Sequence, residues 1–491
     1  MITKNYFKKI AIAAISMFAI NTQANNLKIT GTSVDTAAGE ITFNIKWDNS
    51  WKTNIAPANY DAVWVFVKYQ DCADKLWRHA NLSPTSANHT AGGTILKIDG
   101  VTDGKGAFIY RKINGGGNIA TTSIKLKMNI AAGNYDNYNF KVMGVEMVNI
   151  PQETSYWIGD GASTGAFTQY EITGNGSISS GSIGTGNSAP AAFPKGWTSF
   201  YTMKYEASQE QYVEFLNTLT YEQQVRRSVA SPDSPTATFA FYNSNRNGIK
   251  IKVPGSNASA PAVYGMDLTP GDFDDLNDGQ NIAMNHLSYG DITAYLDWAA
   301  LRPMTEIEYE KISRGPIAPV ASEYAWGTTA LAQVTAAGMI NEKLANEGYN
   351  SVTNGRASYG NNSGNTPTGF NGPTKGGLTA TNASARASAS AAYYGAMEMS
   401  GNVLELTISA KTTGGSTYTG VLGDGELETI TAITGDSNQN WPDNSGAIGR
   451  GGSFYAAGFN VSNYLRLRTS DRAETAVGGA RNVDYGIRGV R

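Results

Sequence analysis

Cysteine is almost missing from this chain of 491 residues: Cys72 is the only one. No disulfide can form within the chain, and no cysteine pair is available to hold a soft metal ion. Cys72 reads as a small core residue. Histidine is nearly as scarce, with only His79, His89 and His286. A metal held by imidazoles needs several of them on one face, and His286 stands far along the chain from the other two. Charged residues make up 16%, against about a quarter in an ordinary globular protein. The net charge of −3 gives no electrostatic case for nucleic acid. Long apolar runs are also missing. The longest, Ile10 to Ile20, covers eleven residues, well short of the ~20 that a membrane helix needs, so no membrane span is expected.

That short run has a role of its own. Lys4, Lys8 and Lys9 precede it and Thr22-Gln-Ala24 follows, the layout of a secretion signal over residues 1–24 with cleavage near Ala24. No cysteine follows to accept a lipid. The protein is therefore expected in the periplasm, outside the cell or at its surface. Fifty-five glycines, and 26 tyrosines against 16 phenylalanines, suit a loop-rich, strand-rich exported protein.

Residues 25–137 read as an all-β sandwich. Glu40 to Trp47 alternates, with Ile41, Phe43, Ile45 and Trp47 on one face; Ser123 to Ile130 does the same. Ala62-Val-Trp-Val-Phe-Val67 is apolar on both faces, as a central strand would be. Gly/Asn/Asp clusters at 91–93, 103–106 and 114–118 punctuate these runs. No catalytic constellation is visible here.

A second domain is read over 138–491, opening with the strand Phe140 to Ile150. A Gly/Ser-rich tract at 174–190 reads as a flexible insertion within it. Capping chemistry predicts three helices. Ser208-Gln-Glu-Gln211 precedes Val213 and Leu216. Ser288 with Asp291 precedes Ile292, Tyr295, Leu296 and Ala299. Thr305-Glu-Ile-Glu308 follows Pro303. Segments 351–392 and 411–447 read as long surface excursions.

Five segments of this second domain stand in a telling order. Phe200 to Asn217 is a strand and helix. Leu287 to Trp298 is a helix. Leu301-Arg-Pro-Met-Thr-Glu-Ile-Glu-Tyr-Glu310 leads to Ala325-Trp-Gly327. Met397-Glu-Met-Ser-Gly-Asn-Val-Leu-Glu-Leu406 and Gly449-Arg-Gly-Gly-Ser-Phe454 precede the final Tyr485-Gly-Ile-Arg-Gly-Val-Arg491. Together they resemble the formylglycine-generating enzyme, or sulfatase-modifying factor, family over about 139–491. The resemblance implies an α+β domain of the C-type lectin-like type, here preceded by the β-sandwich.

The family's chemistry, as the resemblance implies it, oxidises a peptide cysteine with copper held by two thiolates. Ser453 matches the family's active-site serine, and Ala456 falls about where the first cysteine would be. No cysteine follows in 453–472, so no copper and no catalytic residue are expected. The resemblance also implies Ca²⁺ at the Gly-Asn turn. The matching positions are the side chains of Glu398 and Glu405 and the carbonyls of Gly401 and Val403, with Glu398 longer than the usual Asp or Asn. Calcium takes six to eight hard oxygens; the plain alternative is a turn flanked by two solvated glutamates. A second calcium position maps near Asn341 and Glu342.

Seven arginines, Arg450, Arg466, Arg468, Arg472, Arg481, Arg488 and Arg491, crowd the last stretch. Internal pairing, with Asp471, Glu474 and Asp484 as candidates, is favoured over an anion-binding groove. The functional expectation is a secreted, non-catalytic binding or structural protein with a protein or glycan ligand on segments 351–392 and 411–465. Two alternatives stand beside it. One is an oxidoreductase of altered chemistry. The other is a diversified receptor-binding protein using Tyr455, Asn460, Ser462, Asn463 and Tyr464, the residue types that binding loops favour.

Overall fold

The computed structural model describes residues 26–130, 135–256, 260–360, 370–381, 384–428, 436–455, 463–474 and 477–491. The expected signal over 1–24 lies outside them, as do Ala456, Asn460 and Ser462. Strands dominate and helices are few and short.

The N-terminal strands are β1 (Lys28–Asp35), β2 (Glu40–Lys52), β3 (Asp61–Asp71), β4 (Trp77–Ala80), β5 (Thr90–Ala91), β6 (Leu96–Gly100), β7 (Ala107–Arg111) and β8 (Gly115–Lys127). β9 (Tyr138–Ile150) follows. One sheet has the order β1-β2-β8-β5. Its inner face carries Ile41, Phe43, Ile45, Trp47, Ile124 and Leu126, which pack on Val63, Val65, Val67, Ile98 and Ile109 of a second sheet. This is the two-layer sandwich that the alternation implies.

The second sheet does not stop at residue 137. β3 pairs antiparallel with β9 along its whole length, from Asp61↔Val148 to Asp71↔Tyr138. The sheet runs on through Phe200–Met203 and Gly489–Val490 to Arg302–Pro303. The two parts expected to meet at 137/138 therefore share one sheet. β3 shows why its sequence is apolar throughout: Val63, Val65 and Val67 face the sandwich core, while Ala62, Trp64 and Phe66 face the core of the second part. Trp64 Nε1 donates to the Ala299 carbonyl at 2.9 Å, and the Arg491 guanidinium lies 4.1 Å from its ring centroid.

α1 (Gln209–Leu216), α2 (Tyr221–Arg227), α3 (Tyr289–Trp298) and α4 (Glu306–Arg314) each open with a complete capping box, from Ser208, Thr220, Ser288 and Thr305. α2 was not anticipated, although Thr220 and Gln223 carry the same signature.

The glycine-rich tract 174–190 is pinned rather than free. Ile178, Ile183 and Ala189 are buried in the main core, and the Ser188 N–H donates to the Ala410 carbonyl at 3.0 Å. The expected surface excursions are likewise corrected in part. Ala389, Ala391, Ala392, Tyr418 and Leu427 are buried, because each segment returns apolar side chains to the core between its exposed turns.

Candidate functional site

The strand Leu404–Ile408 lies between Ala447–Arg450, antiparallel, and Tyr485–Gly486, parallel. Gly451 and Gly452 follow at φ +82° and +65°, left-handed backbone that L side chains rarely adopt. A Cβ at Gly451 would sit 2.5 Å from Glu405 Oε2. The two glycines thus turn the chain tightly over Glu405 and deliver Ser453 to a small cleft.

That cleft, about 180 Å³, is lined by Ser453, Tyr455, Arg466, Asp471, Glu474 and Asp484, among others. Ser453 Oγ donates to Asp484 Oδ2 at 2.5 Å and accepts from the Tyr455 N–H at 3.2 Å. Asp484 Oδ1 is buried with no hydrogen-bond partner. Burial pushes the Asp484 carboxyl up to about 6 and also raises Asp471 and Glu474. Arg466 pairs with Asp471 at 3.2 Å, and its charge also opposes the shift at Glu474. A serine beside a carboxylic acid, with no imidazole between them, lacks the base that activates a hydroxyl nucleophile. His286 instead lies at φ +61° with its ring near Ser244, and Cys72 sits beside Asn139. Tyr455, which lines the cleft, and Tyr464 are exposed, at 36% and 40%.

Of the expected calcium carboxylates Glu405 is buried and Glu398 half-buried, and the buried Glu206 joins them. Glu405 Oε1 accepts from Arg488 Nε at 3.0 Å. Glu398 Oε1 accepts from the Gly377 N–H at 2.7 Å. Glu206 Oε1 accepts from the Val403 N–H at 3.1 Å, and its other oxygen from Asn402. Burial raises all three carboxyls, Glu398 and Glu405 to about 7, and they repel one another. Arg488 is the one guanidinium whose field reaches all three, and Lys375 reaches Glu398. Glu398 Oε2 and Glu405 Oε2 have no hydrogen-bond partner. Among the described residues no three His, Cys, Asp or Glu side chains converge as a metal site, so a cation here would complete its shell with carbonyls. Two orphaned carboxylate oxygens, an excess of buried negative charge and a turn at φ +96° and +68° over Gly401 and Asn402 fit a hard cation of the calcium type.

The second expected position is less suited. Asn341 Nδ2 donates to the Asn346 carbonyl at 3.4 Å, and nearby Glu347 is bound by Arg246 and by the Lys343 N–H.

The arginines pair internally: Arg466 with the expected Asp471, and Arg450, Arg472, Arg481, Arg488 and Arg491 with acids outside the expected set. Arg450 meets Glu306 at 3.2 Å and Glu310 at 2.9 Å. Arg472 meets Glu306, Arg314 meets Glu310 and Glu323, and Arg488 meets Glu405. Glu306 and Glu310 are one helical turn apart and face the same way; Glu308, between them, binds Arg302 at 2.6 Å. The Glu-Ile-Glu-Tyr-Glu motif is thus a scaffold for buried ion pairs. Glu206 and Glu310 could have been singled out only by knowing the fold, since nothing local distinguishes them from surface acids.

A scan against protein families matches residues 165–491 to the sulfatase-modifying factor enzyme 1-like domain. The match begins after β9, the strand read in the sequence as the family's opening one. No curated protein matches the chain. The match covers well over half of the 491 residues, and the chain's single cysteine, Cys72, lies outside it. The protein belongs to the sulfatase-modifying factor family.

Proposed function

We propose that this protein is an exported, non-catalytic member of its family that works by binding, on a scaffold of the C-type lectin-like type. The observation that carries the reading is the state of the serine cleft. Ser453 is engaged by Asp484, three carboxyls line the wall, and no thiol stands in 453–472. Two thiolates are what copper(I) selects, and this cleft offers hard oxygens in their place. Glu398 and Glu405, with the carbonyls of Gly401 and Val403, would hold Ca²⁺. Its part is structural: a positive charge that neutralises buried carboxylates and fixes the turn beneath Gly451. The exposed Tyr455 and Tyr464 provide contact area at low entropic cost, which supports a protein or glycan ligand at this face.

Copper, oxygen and a cysteine-containing sulfatase peptide, incubated with the purified protein, should give no aldehyde by mass spectrometry. A formylglycine product would overturn the reading.

A further inference from the structure

A second cleft lies where the N-terminal strands meet the family domain. It encloses about 750 Å³, within the range of small-ligand pockets. Trp51, from the end of β2, and Tyr393 wall it, and Asn49, Thr53 and Ser384 stand on its rim. Trp51 is fixed from below. A Cβ at Gly395 would lie 2.8 Å from its ring, and Lys204 Nζ sits 4.9 Å from its centroid. Lys204 is itself neutralised by Asp61 at 3.3 Å and Glu146 at 3.1 Å.

Two donors in this lining lack acceptors. Tyr205 is 5% exposed, and its hydroxyl has no hydrogen-bond partner. Arg386 gives one nitrogen to the carbonyls of Ser313 and Ala325, at 2.9 and 2.7 Å, while its Nε has no partner. Arg386 forms no ion pair among the described residues. Glu323, whose field reaches it, is held by Arg314. A buried donor without an acceptor, and a guanidinium without a carboxylate, are each unfavourable unless something supplies them.

We propose that this cleft binds an acidic oligosaccharide, a chain whose sugars carry carboxylates. The electron-rich ring face of Trp51 suits the C–H face of a pyranose, and the Tyr393 ring carries the Arg386 guanidinium over it at 5.3 Å. The hydroxyl and amide rim suits sugar hydroxyls, and Arg386 with Tyr205 supplies donors for the carboxylate. This site is separate from the Ser453 cleft and does not depend on whether that cleft is catalytic.

Titration calorimetry with a tri-uronic acid, the matching neutral trisaccharide and an acidic hexapeptide decides it. The acidic sugar should bind at least tenfold more tightly than the neutral one. Trp51→Ala and, as a gentler variant, Tyr393→Ala should each weaken it about tenfold with an unchanged circular dichroism spectrum. Arg386→Gln should remove the preference for the acidic sugar, and Tyr205→Phe should weaken binding several-fold. Ser453→Ala should bind as the parent does. The proposal is overturned if neither sugar binds, if the peptide binds and the sugars do not, or if Tyr393→Ala and Trp51→Ala both bind unchanged.

Discussion

Two buried charge systems lie on either side of Tyr309, and they are built on opposite principles. Behind α4, Glu306, Glu310 and Glu323 face Arg450, Arg472 and Arg314. Acids and bases match in number, and the contacts are direct. Around the Gly-Asn turn, Glu206, Glu398 and Glu405 share the field of Arg488, and two carboxylate oxygens are left without partners. Tyr309 touches both: its ring lies 4.8 Å under the Arg450 guanidinium and its hydroxyl donates to the Met399 carbonyl. A matched network needs nothing from outside. An unmatched one of the same depth either holds protons or takes a cation. The difference separates residues that build the scaffold from residues that wait for a ligand, although both sets lie in motifs of the same family.

The largest effect should come from breaking the matched side. Arg450→Met leaves Glu306 and Glu310 each short of one partner at a site with no access to water. Breaking a buried pair costs about 3–5 kcal/mol, so the urea midpoint should fall by that equivalent. Adding Glu306→Gln should cost less than the sum of the two single changes, because the pair is directly coupled. Additive losses would mean that Arg450 acts through packing on Tyr309 and not through charge.

The unmatched side should respond to calcium where the matched side does not. At a free calcium concentration a hundredfold above Kd, binding to the folded state alone adds about 2.7 kcal/mol. Chelation should therefore lower Tm by about 2–3 °C in a chain of this size. Glu405→Gln should abolish that sensitivity, whereas Arg450→Met should keep it. A Tm indifferent to chelator in the parent would sink the calcium assignment.

How much of this was legible in the sequence follows from how local each signal is. Three helices were readable because a capping box lies within four residues, and α2 was missed only for want of an apolar period after Thr220. β2 and β8 were readable from alternation. The continuity of the second sheet was not, because the pairing of β3 with β9 joins residues up to about ninety apart and leaves no mark at 137/138. The same holds for charge. Glu398 and Glu405 could be placed through the Gly-Asn motif. Their neighbour Glu206 sits just before the first helix, about 190 residues earlier, and only the fold brings it there. The arginines were expected to pair with nearby acids, and Arg466 does so with Asp471; Arg450 and Arg472 instead meet Glu306 of α4, since the β-strand carrying Arg450 passes behind that helix.

The smallest imbalance is a single group, Asp484, and it offers the finest test of the contrast. No cation is among the groups that set its proton affinity; the Ser453 hydroxyl and a backbone N–H are all that oppose its burial. Its folded-state value is therefore raised, from 3.8 to about 6. The sign follows from linkage. Below about pH 4 both states are protonated and Asp484 contributes no pH dependence. As pH rises, the unfolded chain loses this proton first, so stability falls until about pH 6 and then levels. Asp484→Asn removes the titration while keeping a hydrogen-bonding side chain beside Ser453. The difference between parent and variant in urea-derived stability should change by about 1–3 kcal/mol across pH 4–6, an amount set by the shift, with the parent losing ground as pH rises. A flat difference would show that Asp484 is solvated or paired in solution. A difference of opposite sign would show that a cation stands beside it, and the cleft around Ser453 would then resemble the matched network behind α4.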